Sequence, residues 1–277
     1  NLAMACSWNL ASVERAARVA AEESAAMGIH WTFSPMCDIS VDPRWSRVSE
    51  GAGEDPYLGA KIAAAMVRGY QGDNLSSDKT IAACVKHFAA YGAPQAGRDY
   101  HTVDMSEMMF RNRYLPPYKA AVKAGAVTVM SSFNDLMGVP ASGNKHLNVN
   151  ILRHEWQYDG LLVSDWGSIM NMVSHGIATD RRQTAIQSLD AQVEMDMQSN
   201  AYLWYLKDLV EQGVVSEKQI DACVRDILRM KFRVGLFDNH YAATENPVYF
   251  APEALAAAQR AAEESAVLLK NNNILPL

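Results

Sequence analysis

Several things are missing from this sequence, and each absence closes off a class of function. Its 277 residues hold four cysteines, Cys6, Cys37, Cys84 and Cys223, without C-x-x-C spacing. Thiols scattered in this way form neither a disulfide framework nor a zinc site, and read as buried small hydrophobes. No apolar run approaches the roughly 20 residues needed to cross a bilayer. The formal net charge of −6 argues against a nucleic acid or an anionic membrane as partner, since both select clustered Lys and Arg. The seven histidines include no H-E-x-x-H, and His154-Glu155 lies in a helical stretch without a second ligand. Neither G-x-x-x-x-G-K nor G-x-G-x-x-G occurs, so the phosphate-loop and dinucleotide signatures are absent too. No metal or cofactor is therefore expected. No repeat of about 20 to 50 residues and no low-complexity tract is present, which excludes a solenoid.

What remains is an alternation of strands and helices. Helical spacing over Asn9–Met27 stops at Gly28, and Asp55-Pro56 opens a helix that runs to about Tyr70. Further helices are expected over Ser106–Tyr114, Pro116–Ala124, Asn148–Gln157, Asp180–Leu189, Ala201–Glu211, Ser216–Val234 and Pro252–Lys270. Ser216 and Gln219 have the spacing of a capping box. Five apolar strands begin near residues 29, 81, 126, 161 and 193. Strand–helix alternation implies parallel βαβ units, and a chain that is 49% hydrophobic can fill one large core. The expected fold is a (β/α)8 TIM-type barrel. Such a barrel needs eight strands, so either some are irregular or the domain begins upstream of residue 1.

The centre of the pattern is Leu161-Leu162-Val163-Ser164-Asp165-Trp166-Gly167, a buried strand ending in an acid. At the end of a barrel strand that acid faces the active-site mouth; the alternative is that Asp165 caps the following helix. The other strand ends lead into Arg44-Trp45-Ser46-Arg47, Lys86-His87 and Ser131–Asn134. Folding brings these ends together into a pocket with one carboxylate, several donors and an indole, which suits a sugar. Each member has a plainer reading as well. Arg44 and Arg47 could pair with Asp42 or Glu50, Lys86 could snorkel, and Trp45, Trp166 and Met130 could be core.

The motifs as a set resemble glycoside hydrolase family three, the β-glucosidases and related exo-acting β-glycosidases, and look closest to the bacterial periplasmic type. The match is carried by Phe33-Ser34-Pro35 with Asp42-Pro43-Arg44-Trp45-Ser46-Arg47, then Glu54-Asp55-Pro56-Tyr57, Lys86-His87-Phe88, Val129-Met130, Val163-Ser164-Asp165-Trp166 and Glu264-Ser265-Ala266-Val267-Leu268-Leu269-Lys270-Asn271. The resemblance implies that Asp165 is the catalytic nucleophile of a retaining mechanism. It also implies that Arg47, Lys86, His87 and Arg98 bind sugar hydroxyls while Met130 and Trp166 line the same subsite. Phe133 stands where many members carry tyrosine, and Gln192-Val193-Glu194-Met195 replaces the usual Gly-Val-Asp-Met. Ala89-Ala90-Tyr91-Gly92 after Lys86-His87-Phe88 disfavours N-acetylglucosaminide specificity.

The resemblance places the general acid/base on a second α/β domain of the same parent chain, beyond a linker starting at Asn271–Leu277. Residues 1–245 are thus expected to form a truncated catalytic barrel and residues 246–277 a C-terminal helix and the start of that linker. The implied substrate is an oligosaccharide or aryl β-glucoside; a homodimer stays open, and the expected location is periplasmic or secreted, with the cytoplasm as the alternative. The competing readings are β-xylosidase specificity, a non-catalytic sugar-binding barrel, and an aldolase using Lys86.

Overall fold

The computed structural model describes residues 2–241 and 249–276. The expected domain boundary between residues 245 and 246 lies outside the described residues, as do Asn1 and Leu277. At the centre run three parallel strands, β1 (Cys84–Phe88), β2 (Thr128–Ser131) and β3 (Leu161–Ser164), adjacent in that order. β2 and β3 pair in unbroken register from Thr128↔Leu161 to Ser131↔Ser164. The β1–β2 register slips between Val85 and Phe88. Every residue of β2 and β3 is buried, as expected for a parallel sheet covered on both faces.

The other two expected strands lie alongside but are not regular ladders. The segment near residue 31 touches β1 through Trp31↔Ala82 and Met36↔Lys86, and the one near residue 195 touches β3 through Val163↔Met195. On the first side the cause is Pro35, which has no N–H to give. On the second, side chains replace backbone rungs: the Glu194 carboxylate accepts the Leu162 N–H at 2.7 Å and the Ser164 hydroxyl accepts the Met197 N–H at 2.8 Å.

Around the sheet pack α1 (Leu10–Ala26), α2 (Pro56–Gln71), α3 (Pro116–Lys123), α4 (Ser168–Ser174), α5 (Arg181–Asp190), α6 (Ala201–Glu211), α7 (Glu217–Arg233) and α8 (Pro252–Glu264). Asp55 caps α2 by accepting the Leu58 N–H, and the Ser216–Gln219 capping box is formed at α7. The helices cover the outer face of the sheet, where Val85, Val129 and Leu162 join the main core. Side chains alternate along a strand, so the inner face carries Cys84, Met130 and Val163, with Trp31, Met195 and Met197 against them. α1 and α2 cross closely at Gly69, where a Cβ would lie 2.5 Å from that of Ala17.

Four local expectations change. The Ser106–Tyr114 helix is one α-turn, Glu107–Met109, followed by a π-helical turn, Phe110–Tyr114. The Asn148–Gln157 helix is π-helical and spans His146–Glu155. A small hairpin pairs Asp135–Leu136 with Val139–Pro140. It turns through Met137 and Gly138 at φ 51° and 82°, a Met-Gly pair that lacks the usual Asn-Gly or Asp-Gly signal. Finally, α8 stops at Glu264 instead of running to Lys270, with the Ser265 hydroxyl bonded back to the Ala262 carbonyl at 2.7 Å. The Glu264 carboxylate instead accepts from Ser12 Oγ at 2.6 Å and Asn9 Nδ2 at 3.0 Å, which pins α8 to the start of α1.

Candidate active site

β3 delivers Asp165 directly past its last ladder residue. The Asp165 N–H still donates to Ser131 O, and the chain then turns through Gly167 at φ 72° into α4. The side chain does not cap that helix. Oδ1 accepts the Trp166 N–H at 2.6 Å, and Oδ2 lies 3.3 Å from His87 Nε2. The capping alternative therefore fails, and the carboxylate is left 12% exposed, enough for a reactant to touch it.

His87 comes from the end of β1 and is buried. Its Nδ1 is 2.8 Å from Asp38 Oδ2, which also accepts the His87 backbone N–H at 2.9 Å. The Tyr118 hydroxyl, from α3, donates to Asp38 Oδ1 at 2.6 Å and lies 2.8 Å from His87 O. Burial first, and Asp38 beside it, push the Tyr118 phenol well above its ordinary range, so it stays a donor. Asp38 and Tyr118 were not legible as site residues. The one signal was an acid set inside the apolar run Met36-Cys37-Asp38-Ile39.

Of the remaining candidates, Arg47 reaches Tyr91, the ring that packs on His87. Arg47 grips Glu50 with a fork, Nε to Oε1 at 2.7 Å and Nη2 to Oε2 at 2.9 Å, and its guanidinium lies 5.6 Å from the Tyr91 ring centroid. That fork, against the opposing pull of burial and with help from nearby Lys86 and His87, holds the Glu50 carboxyl below its usual range. Lys86 is half-buried, and its charge is felt at the same corner. Trp45 is core, with its indole N–H on Asp99 at 2.9 Å. Ser46 also reaches Asp99, at 3.2 Å, so this acid ties the Arg47 loop to the next one. Arg98 is exposed beside it. Trp166 is 64% exposed and so is not core, whereas Met130 is buried with Cys84 and Val163. Arg44 pairs with Asp42, its plainer reading.

Gly92 holds the inner shell in place. A Cβ there would fall 2.3 Å from Ile39 O and 3.3 Å from the Asp38 Cβ, so no side chain fits without moving the segment that carries Asp38. Gly92→Ala is expected to cost about 1–3 kcal/mol, typical of overpacking. Urea unfolding of the two proteins measures it, and an unchanged midpoint would show that the segment yields freely.

One acid outside this cluster has an unusual proton affinity. Burial pushes the Glu194 carboxyl up to about 7, which would suit a proton donor. Both its oxygens are taken, however, by Arg153 Nη2 at 2.6 Å and by the Leu162 N–H near the start of β3. It braces the strand and does not serve the mouth.

In outline this is a parallel α/β barrel-type domain with an accessible carboxylate framed by cations and an open indole at its strand ends. The chain belongs to glycosyl hydrolase family 3, matching the family's N terminal domain over residues 1–230. It is 40% identical to a periplasmic beta-glucosidase of Salmonella typhimurium over its whole length, covering 37% of that protein. A beta-xylosidase of Formosa agariphila is 35% identical over the whole chain, which covers 40% of it. The beta-glucosidase of Listeria innocua solved in complex with isofagomine superposes with a TM-score of 0.97 at 44% identity, over 100% of this chain and 40% of that one. The fold is thus that of the family's TIM-like barrel, and the chain spans less than half the length of these relatives.

Proposed function

We propose that this chain is the nucleophile-bearing domain of a retaining, exo-acting β-glycosidase that releases terminal β-D-glucosyl residues from oligosaccharides or aryl glucosides. The observation that carries this reading is the geometry of Asp165: a carboxylate at the end of a buried strand, still accessible, with one oxygen on a backbone N–H and the other facing a buried histidine. In the proposed reaction Asp165 attacks the anomeric carbon, and the glycosidic oxygen leaves with a proton from a general acid. Water, deprotonated by the same group, then displaces the carboxylate from the sugar, so two inversions give net retention. Arg47, Lys86 and Arg98 would donate to the sugar hydroxyls; His87, whose ring nitrogens face Asp38 and Asp165, would act beside the nucleophile. Trp166 would stack on a ring, and Met130 would line the same subsite from below. We assign residues 1–245 to the barrel and 246–277 to its C-terminal helix and linker. The general acid would come from a second α/β domain of the kind the longer relatives leave room for. A periplasmic site would match the Salmonella relative.

A β-xylosidase is the second reading, supported by the Formosa relative. Both are tested with 2-deoxy-2-fluoro-β-D-glucosyl fluoride and its xylosyl counterpart. Fluoride departs without needing a proton, so labelling requires the nucleophile and not the acid. Intact mass is expected to rise by one 2-fluoroglucosyl unit, located on Asp165 by peptide mapping. A faster rise with the xylosyl reagent would favour the second reading. No label from either would leave a sugar-binding barrel without chemistry.

A further inference from the structure

Asp38 cannot meet a substrate. It is buried, as are its partners His87 and Tyr118, and its three donors are two N–H groups of His87 and one hydroxyl of Tyr118. A buried carboxylate costs several kcal/mol in desolvation unless such donors offset it. Core packing alone is met more cheaply by apolar side chains, so the site is better explained by what Asp38 does to its neighbours.

The donor count decides the ring's orientation. Asp38 Oδ2 already accepts the His87 backbone N–H, and Oδ1 accepts the Tyr118 proton. The carboxylate acts only as an acceptor, so the 2.8 Å contact requires the proton on His87 Nδ1. With Nδ1–H committed inward, Nε2 is the atom turned to Asp165 Oδ2 at 3.3 Å; a carboxylate oxygen only accepts, so the contact holds Asp165 when Nε2 also bears a proton. The ring is also held edge-on to Tyr91, with centroids 5.2 Å apart. Anchor, ring and reactive carboxylate therefore form one line from the core to the mouth.

We propose that Asp38, seconded by Tyr118, is a positioning residue: it fixes the proton on His87 Nδ1 and the plane of the ring, and through Nε2 sets the orientation of the Asp165 carboxylate. This rests on the reading of Asp165 as the nucleophile. It differs from a structural role in acting on the rate of the covalent step rather than on sugar affinity. An amide in place of the Asp38 carboxylate keeps the shape and one acceptor but loses the charge and the second acceptor. Tyr118→Phe removes a single oxygen.

The test uses Asp38→Asn and Tyr118→Phe in the same chain, with two readouts. The first is the labelling rate with 2-deoxy-2-fluoro-β-D-glucosyl fluoride. Asp38→Asn is expected to slow the saturating rate about 10- to 100-fold, as loss of a partner that orients a histidine does elsewhere. Tyr118→Phe, losing one hydrogen bond of about 1 kcal/mol, should slow it about fivefold. Half-saturation should hardly move in either. The second readout is the His87 side-chain resonances by nitrogen NMR. The hydrogen-bonded Nδ1–H of the wild type should be lost or strongly shifted in Asp38→Asn, and retained but shifted in Tyr118→Phe. Unchanged rates, or slowing confined to half-saturation, would overturn the proposal. Should the wild type take no label at Asp165, the nucleophile reading fails separately, and the NMR alone decides: an Nδ1–H signal that ignores Asp38 would overturn it. Should Asp38→Asn not fold, Tyr118→Phe carries both readouts.

Discussion

Replacing Asp165 by alanine is expected to reduce turnover of a nitrophenyl β-glucoside by the full-length protein on the order of 10⁴-fold or more, or about 5.5 kcal/mol of transition-state stabilisation. Few other single changes should approach that figure, because no neighbour can take over the bond to the anomeric carbon. Arg47 is forked onto Glu50, and His87 has Nδ1 committed to Asp38. The same variant offers a positive test. With the carboxylate gone, azide can enter from the vacated face and displace the aglycone once, with inversion, so the product should be α-glucosyl azide. Normal turnover in the variant would remove Asp165 from the mechanism, and rescue giving the β-azide would contradict direct entry from the vacated face.

The largest effect on stability is expected at the Arg153–Glu194 pair. Arg153 Nη2 donates to Glu194 Oε1 at 2.6 Å, while Nη1 reaches the carbonyls of Tyr158 at 3.0 Å and Gly160 at 2.6 Å. Both side chains are 10% exposed or less. Arg153→Met would strand a buried carboxylate and should cost about 3–5 kcal/mol at neutral pH. The loss should be smaller near pH 5. Burial raises the Glu194 carboxyl from 4.5 to about 7 despite Arg153, so between those values the folded chain binds a proton that the unfolded chain has released. Stability therefore falls as pH rises through that window. Removing Arg153 takes away a group that opposes the rise, so the window widens upward and acid relieves the variant. Urea unfolding at pH 5 and 7.5 measures both effects; equal losses at the two values would show that Arg153 does not set the proton affinity of Glu194.

The order of strands and helices was legible because each has a local cause: apolar runs for β1, β2 and β3, Asp55-Pro56 for α2, Ser216 with Gln219 for α7. The strands near residues 31 and 195 were legible as apolar segments, but their loss of ladder was not. Pro35 was visible in the sequence, yet Glu194 and Ser164 act on the amides of residues that no spacing rule connects to them. The same contrast holds at the mouth. Asp165 and Lys86 stand at strand ends and Arg47 in the loop after one, where position together with the family's motifs made them candidates. Asp38 and Tyr118 meet across 80 residues of sequence, through a contact only the fold creates. Glu194 stood out as a departure from the family's pattern, and its physical role emerges only on folding, when its side chain spans from Arg153 to the Leu162 amide.

The inner face of the sheet, one layer below Asp165, is made largely of sulfur: Cys84 and Met130, with Met195 and Met197 against them. Thioethers are unbranched, polarisable and readily repacked. Such a floor would yield under a sugar resting on it and could not judge it by its height. On the proposed reading the choice between a hexose and a pentose, which differ by one hydroxymethyl arm, would fall to the rim, where Arg47 is held by its fork on Glu50. Engineers wishing to change it should leave the floor alone and work at the edge.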